Sequence, residues 1–369
     1  MKLYWRPGKI SNASLVVLAV LAVAAMIVVE HNMVIIRQPH YDEKVRAVRL
    51  QSRAMEAIKQ ETIRQRKKLD AFADPAGTGM IGLSLSPMTS VVGYVEAKQT
   101  SANPNFAAVV VELMKRLELV EGDFVAVGGS GSFPALNLAT LVACKVLKLN
   151  CVPIMSMAAS MYGANDPRMT WLDMERIAYE AGAIDHRSIA ASIGGMDDNG
   201  EQLQAAGVEL ILQAIARNQV PLIRTESLQG NIDERIRRFQ EAAGGRPFKA
   251  YVNIGGSEAS VGSHFTKVLF KPGINRRLPR RPIEDEGAMT RMMREYDIPM
   301  IHLSSVSRIA ERHGLPIAPQ KMPPPAEGPL FFNREYNLPL VAVLLGALIA
   351  ATVLVIRFDI GRLLGRKAG

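Results

Sequence analysis

The chain has 369 residues, of which 48% are hydrophobic and 21% charged, and a formal net charge of +9. That length allows one large domain or two ordinary ones, and the charge favours anionic partners without constraining the fold. Two cysteines, Cys144 and Cys151, exclude a disulfide framework and a zinc ligand set.

A basic tail at 1–9 (Lys2, Arg6, Lys9) leads into residues 10–29, which hold no charge. The run is long enough for a helix to cross about 30 Å of hydrocarbon. Ala22-Val23-Ala24 resembles a signal cleavage site. The apolar run continues through Val29, longer than a signal core, so the segment is expected to be an uncleaved anchor. At 41–72, Val45, Val48, Met55, Ile58, Leu69 and Phe72 recur at roughly helical spacing among charges. This predicts an amphipathic helix acting as a stalk or dimer contact, with a helix on the membrane surface as the alternative. DPAGTG at 74–79 breaks it.

From 80 to 316, short β-branched runs alternate with helical patterns, as in FVAVGG at 124–129 followed by a helix at 134–148. The expected fold is an α/β domain with a mostly parallel sheet and helices on both faces. Such sheets bind ligands beyond the carboxyl ends of their strands. LVACKVLKLNC, which joins helix to core strand, favours two buried thiols over one small disulfide loop. A proline-rich linker at 317–335 leads to a second uncharged run at 336–356 and a basic tail at 357–369 (Arg357, Arg362, Arg366, Lys367). The positive-inside rule then places both termini in the cytoplasm and the domain outside, in the plasma membrane. Arg37, Lys44, Arg46 and Arg49, just after the first run, pull against this.

Three strands end in paired glycines: Gly128-Gly129-Ser130-Gly131-Ser132, Gly194-Gly195-Met196-Asp197-Asp198 and Gly255-Gly256-Ser257. In a parallel sheet they fall on one edge, where glycine permits positive φ and close approach of a ligand to main-chain amides. A helix N-terminus there suits a carboxylate or phosphate. The alternative is a set of tight strand-to-helix turns. Ser130, Ser132 and Ser257, with His264 nearby, form a candidate Ser/His site, although the G-x-S-x-G elbow is incomplete. The plainer role for Ser132 is a helix cap before Pro134. Asp197 and Asp198 are weak candidates for a hard cation and match no ligand spacing; Asp166, Asp173 and Glu175 complete a loose acidic set. No Walker loop or dinucleotide fingerprint is present, and no cofactor is expected. The stretch from His264 to Arg281 holds Arg276 and Arg277 among six basic residues and no acid. It suits carboxylates, lipid headgroups or solvent, and its few aromatics argue against nucleic acid.

SPMTSVVGYVEAKQTSANPNFAA at 86–108 and VGGSGSFPALNLA at 127–139, with WLDME at 171–175 and GGMDDNG at 194–200, resemble the poly-γ-glutamate system proteins. These are bacterial membrane proteins associated with capsule synthesis. The resemblance covers most of 80–319 and the flanking apolar runs, and transfers no catalytic residues. It implies a membrane-anchored accessory component that binds the anionic polymer or partner subunits, in contact with lipid, with a homo-oligomer as a further option. The alternative is an extracytoplasmic enzyme that cleaves, transfers or modifies the polymer.

Overall fold

The computed structural model describes residues 10–66 and 68–358. The expected basic tails at 1–9 and after Phe358 lie outside the described residues. The chain divides into two compact units, Met1–Gln38 with Phe332–Gly369, and Pro39–Phe331.

The first unit contains the helices Asn12–His31 and Leu338–Phe358, both long and apolar enough to cross a membrane. Ser11 caps the first, accepting from the Ser14 amide at 3.2 Å. Their apolar side chains point outward, with Val16 and Val20 each 61% exposed. Strands Val34–Arg37 and Phe332–Glu335 pair antiparallel at the foot of the two helices. The Tyr336 hydroxyl donates to Glu30 at 2.9 Å.

The second unit is built on a seven-stranded sheet. Its strands are β1 Phe124–Ser130, β2 Asn150–Ser156, β3 Ala190–Ser192, β4 Leu222–Ile223, β5 Phe248–Ile254, β6 Gly273–Asn275 and β7 Met300–Leu303. Their order is β6-β7-β5-β1-β2-β3-β4, with only β6 antiparallel to its neighbour. The chain steps outward from β1 to β4, then crosses back to lay β5 along the other side of β1. The order therefore reverses between β1 and β5, which opens a crevice at their carboxyl ends.

Every residue of β1 is buried, as a strand covered on both faces requires. On one face Phe124, Ala126, Val152 and Ile154 pack beneath Ile232, Ile236 and Phe239 of helix Leu228–Ala243 and Met289 and Met292 of helix Ala288–Tyr296. Phe239 and Phe248 meet edge to face at 6.0 Å. By strand alternation Val125 and Val127 point to the opposite face, where helix Pro134–Leu147 lies on the sheet.

Helix Tyr41–Arg66 packs outside that layer, against Pro134–Leu147, Phe106–Arg116 and Trp171–Glu180. It buries Ala47, Val48, Ala54, Met55 and Ile58, and Gln51 donates to the Ala135 carbonyl at 3.0 Å. It is thus part of the domain, in place of the expected stalk or dimer contact. Its described helix runs to Arg66, and residues 68–72, expected as its end, are not helical. Asp70 takes the amides of Phe72 and Ala73 into a turn, and Phe72 is left 76% exposed. The proline-rich segment also belongs to this unit up to Phe331: Ala326 donates its amide to Asn105 at 3.1 Å, and Leu330 and Phe331 are buried.

Cys144 and Cys151, expected as thiols, form a disulfide. Lys148 adopts a left-handed cap (φ 53°) that folds the chain back and brings the two Cα atoms to 6.2 Å, within bonding range.

Glu175 is fully buried and accepts from the Ser188 amide at 3.0 Å and its hydroxyl at 2.7 Å. Burial pushes its carboxyl up to about 7, against the lowering effect of Ser188. The folded chain therefore holds this proton at pH values where the unfolded chain, titrating near about 4.3, has released it. Stability from this group is full below the unfolded value and is lost as pH rises through about 7. Glu175→Gln is expected to flatten that part of the curve of melting temperature against pH. Parallel curves for variant and parent would contradict the assignment.

Candidate functional site

The crevice between β1 and β5 opens into a cleft of about 470 Å³. Ser130 and Ser132 reach it from the first glycine turn, Gly195 from the second, and Gly256 and Ser257 from the third, so all three turns meet there. Lys98, from helix Val95–Ser101, and Ser160, from strand Ala159–Ser160, complete its floor. His264 and Lys267 enter from helix His264–Leu269. Exposed Val91, Val92 and Tyr94 form an apolar lip.

The glycines differ in their reasons. Gly128 and Gly129 lie within β1, not in its turn. A Cβ on Gly128 would stand 1.9 Å from the Tyr251 hydroxyl, so its bareness lets β5 approach β1 and does not admit a ligand. Gly129 likewise faces the Met155 sulfur, and Gly131 the Met157 carbonyl. Gly194, Gly195 and Gly255 do have positive φ; that of Gly255 is +85°, which carries the chain out of β5 opposite the Ser130 hydroxyl.

The second turn uses its amides internally. Gly194 donates to the Asp198 carbonyl, Met196 to Gln202, and Asp197 to Glu258. The amides of Gly194, Met196 and Asp197 are therefore not free to join an anion site with the other two turns, and of this turn only Gly195 lines the cleft. Charge in the cleft comes from two lysines, Lys98 and Lys267, and from the carboxylate of Glu258, which also lines it and is bonded to the Asp197 amide.

Lys98 is 3% exposed and donates to the Ser160 hydroxyl at 2.8 Å and to the Ser132 carbonyl. Its ammonium lies 3.7 Å from the centre of the Phe133 ring. Burial, assisted by the charge of Lys267, pushes it down to about 7. Lys267 is half-buried, and among the described residues no ion pair or hydrogen bond engages its ammonium. Burial lowers its pKa as well. His302, deeper in the sheet, is pushed down to about 4 by burial and by Lys267.

The predicted Ser/His arrangement does not form. His264 is exposed at the start of its helix, beside Phe265, and among the described residues it makes no hydrogen bond to Ser130, Ser132 or Ser257. Ser132 accepts the Ser160 amide at 3.0 Å and does not cap the following helix. The Ser257 oxygen is buried and has no hydrogen-bond partner among the described residues. Arg276 and Arg277 are exposed and line no part of the cleft; Arg276 donates to the Arg116 carbonyl at 2.7 Å.

Four of the five acidic residues are spent structurally, Glu175 on Ser188 among them, whereas among the described residues the Asp197 carboxylate makes no hydrogen bond or ion pair. Asp198 is buried in an ion pair with Arg235 at 3.1 Å and accepts from Ser156 and Ser192, each at 2.8 Å. Asp166 pairs with Arg66 and Arg168, and Asp173 with Arg217. Among the described residues no group of three or more potential ligands could hold a metal ion. A larger hollow of about 690 Å³, between helices Tyr41–Arg66 and Trp171–Glu180, offers only charges already paired, Arg64 with Glu61 and Arg176 with Glu180.

Lys98, Ser160 and Lys267 escaped sequence reasoning. Lys98 and Ser160 are 62 positions apart; the stretch 86–108 that holds Lys98 carried the family resemblance but no residue role, while Lys267 was one of six basic residues in a single stretch. No family model matches the chain, and neither a curated protein nor a solved structure does.

Proposed function

We propose that the protein is a membrane-anchored component of poly-γ-glutamate synthesis or export, and that its cleft binds carboxylates of that polymer. The observation that carries the reading is Lys267, a half-buried cation that lines the β1–β5 cleft and has no acidic partner among the described residues. A desolvated ammonium in such a place is stabilised by an anionic ligand. The lip of Val91, Val92 and Tyr94 suits the methylenes between the amides of a γ-linked chain. The sequence resemblance supplies the polymer, and partner subunits of the same pathway follow from it.

Two terminal helices of spanning length support the anchoring. The Cys144–Cys151 bond favours an oxidising compartment for the domain, in keeping with basic tails in the cytoplasm. A reporter fused after Ala368 is expected to be active only in the cytoplasm; activity confined to the outside would reverse the orientation.

The binding claim is tested by titrating full-length protein in detergent with a short γ-glutamyl oligomer. Saturable binding that weakens as salt rises is expected. No heat and no shift in melting temperature at millimolar oligomer would refute the reading.

A further inference from the structure

We propose that Ser160 and Lys98 form a nucleophile–base pair, and that the cleft cleaves or transfers γ-glutamyl amide bonds. The substrate class rests on the proposed function above; the pair itself does not.

The geometry is that of an activated serine. The Ser160 hydroxyl lies 2.8 Å from the Lys98 Nζ, inside the range for direct proton transfer. Both side chains line the cleft, Lys98 with 3% and Ser160 with 6% of its surface exposed. The lysine is held by the Ser132 carbonyl and the Phe133 ring, and the serine backbone by the Ser132 hydroxyl. Among the described residues no carboxylate pairs with Lys98, so nothing there stabilises its charged form as an ion-pair partner would. In its neutral state the contact reverses, and the serine hydroxyl donates to the amine.

The chemistry balances without a metal or redox partner. Ser160 Oγ attacks the amide carbonyl carbon, and its proton passes to Lys98. The carbon–nitrogen bond breaks, and the departing amine takes that proton. Water then attacks the resulting ester and gives a proton to Lys98, which returns it to Ser160; a second amine in place of water gives transfer. Lys267, with no ion-pair partner among the described residues, is placed to hold a substrate carboxylate while this occurs.

A structural role for Lys98 would require only that its hydrogen bonds persist, whereas a base must also lose its proton near neutrality. The test uses full-length protein in detergent and a fluorophosphonate probe, which bonds a serine oxygen through phosphorus and expels fluoride. The modified residue is located by peptide mass spectrometry. Labelling at Ser160 is expected, at a rate that rises with pH through a midpoint near about 7. Lys98→Arg keeps a charged donor but cannot serve as a base, and is expected to abolish labelling. Ser160→Ala should still bind the γ-glutamyl oligomer but reduce polymer shortening by about 10³-fold or more. Unlabelled Ser160 in the parent protein on both sides of neutrality overturns the pair, as does unchanged labelling in Lys98→Arg. Labelled Ser160 with no polymer shortening keeps the pair and overturns the γ-glutamyl substrate. Oligomer binding without labelling keeps the proposed function and removes only the catalysis.

Discussion

Arg235→Met is expected to lower the stability of the second unit by about 3–5 kcal/mol, the usual cost of leaving a buried charge unpaired. Arg235 is 1% exposed and Asp198 not at all. The guanidinium also donates to the hydroxyls of Ser156 at 2.9 Å and Ser192 at 2.5 Å. It thus ties helix Leu228–Ala243 to the carboxyl ends of β2 and β3. Removing it strands the Asp198 carboxylate with only two hydroxyl donors from side chains. For a unit of this size the loss corresponds to a melting temperature lower by roughly 10 °C. The double variant Arg235→Met, Asp198→Leu should recover much of that loss, because no charge is then left behind. Near-ultraviolet circular dichroism melts of the full-length protein check both. A single variant as stable as the parent would mean that the pair contributes nothing to the fold.

Lys267→Met should weaken binding of a γ-glutamyl oligomer by about 10- to 100-fold, the range for loss of one charged hydrogen bond. Methionine keeps the length and apolar stem of the side chain and removes only the ammonium. Because Lys267 is bound by no acid among the described residues, the variant leaves no carboxylate unpaired and the fold should tolerate it. Arg276→Ala and Arg277→Ala serve as comparison. Both residues are exposed and away from the cleft, so their loss should shift affinity only slightly, and less at raised salt. Comparable losses from the arginines and from Lys267 would assign binding to the basic surface.

The α/β organisation was legible because its longer strands are runs of β-branched residues that end in glycine and are followed by helical periods. FVAVGG forms a strand as expected and reaches as far as Ser130, and FKAYVNI pairs beside it in parallel. Gly-Gly steps pointed to the right edge of the sheet, since each must lie at a carboxyl end. They misled about the ligand contact, because spacing does not reveal that Gly128 faces Tyr251 or that Asp198 turns back onto Arg235. The amphipathic helix was legible as a helix, but periodicity alone does not distinguish a stalk from a helix packed on its own domain. Lys98 lay in a stretch that carried the family resemblance, but nothing there pointed to its role, and Ser160 carried no signal. A lysine in VEAKQTS reads as a solvated charge until the fold buries it beside a serine from a distant strand.

The most direct test of the account is chemical footprinting of the lysines with an amine-reactive acylating reagent, with and without a short γ-glutamyl oligomer. Lys267 is a half-buried amine of lowered pKa in the cleft, whereas Lys271, four residues later, is exposed outside it. If the polymer's carboxylates occupy the cleft, saturating oligomer will protect Lys267 and leave the acylation rate of Lys271 unchanged. Equal acylation of Lys267 with and without bound oligomer would contradict the account.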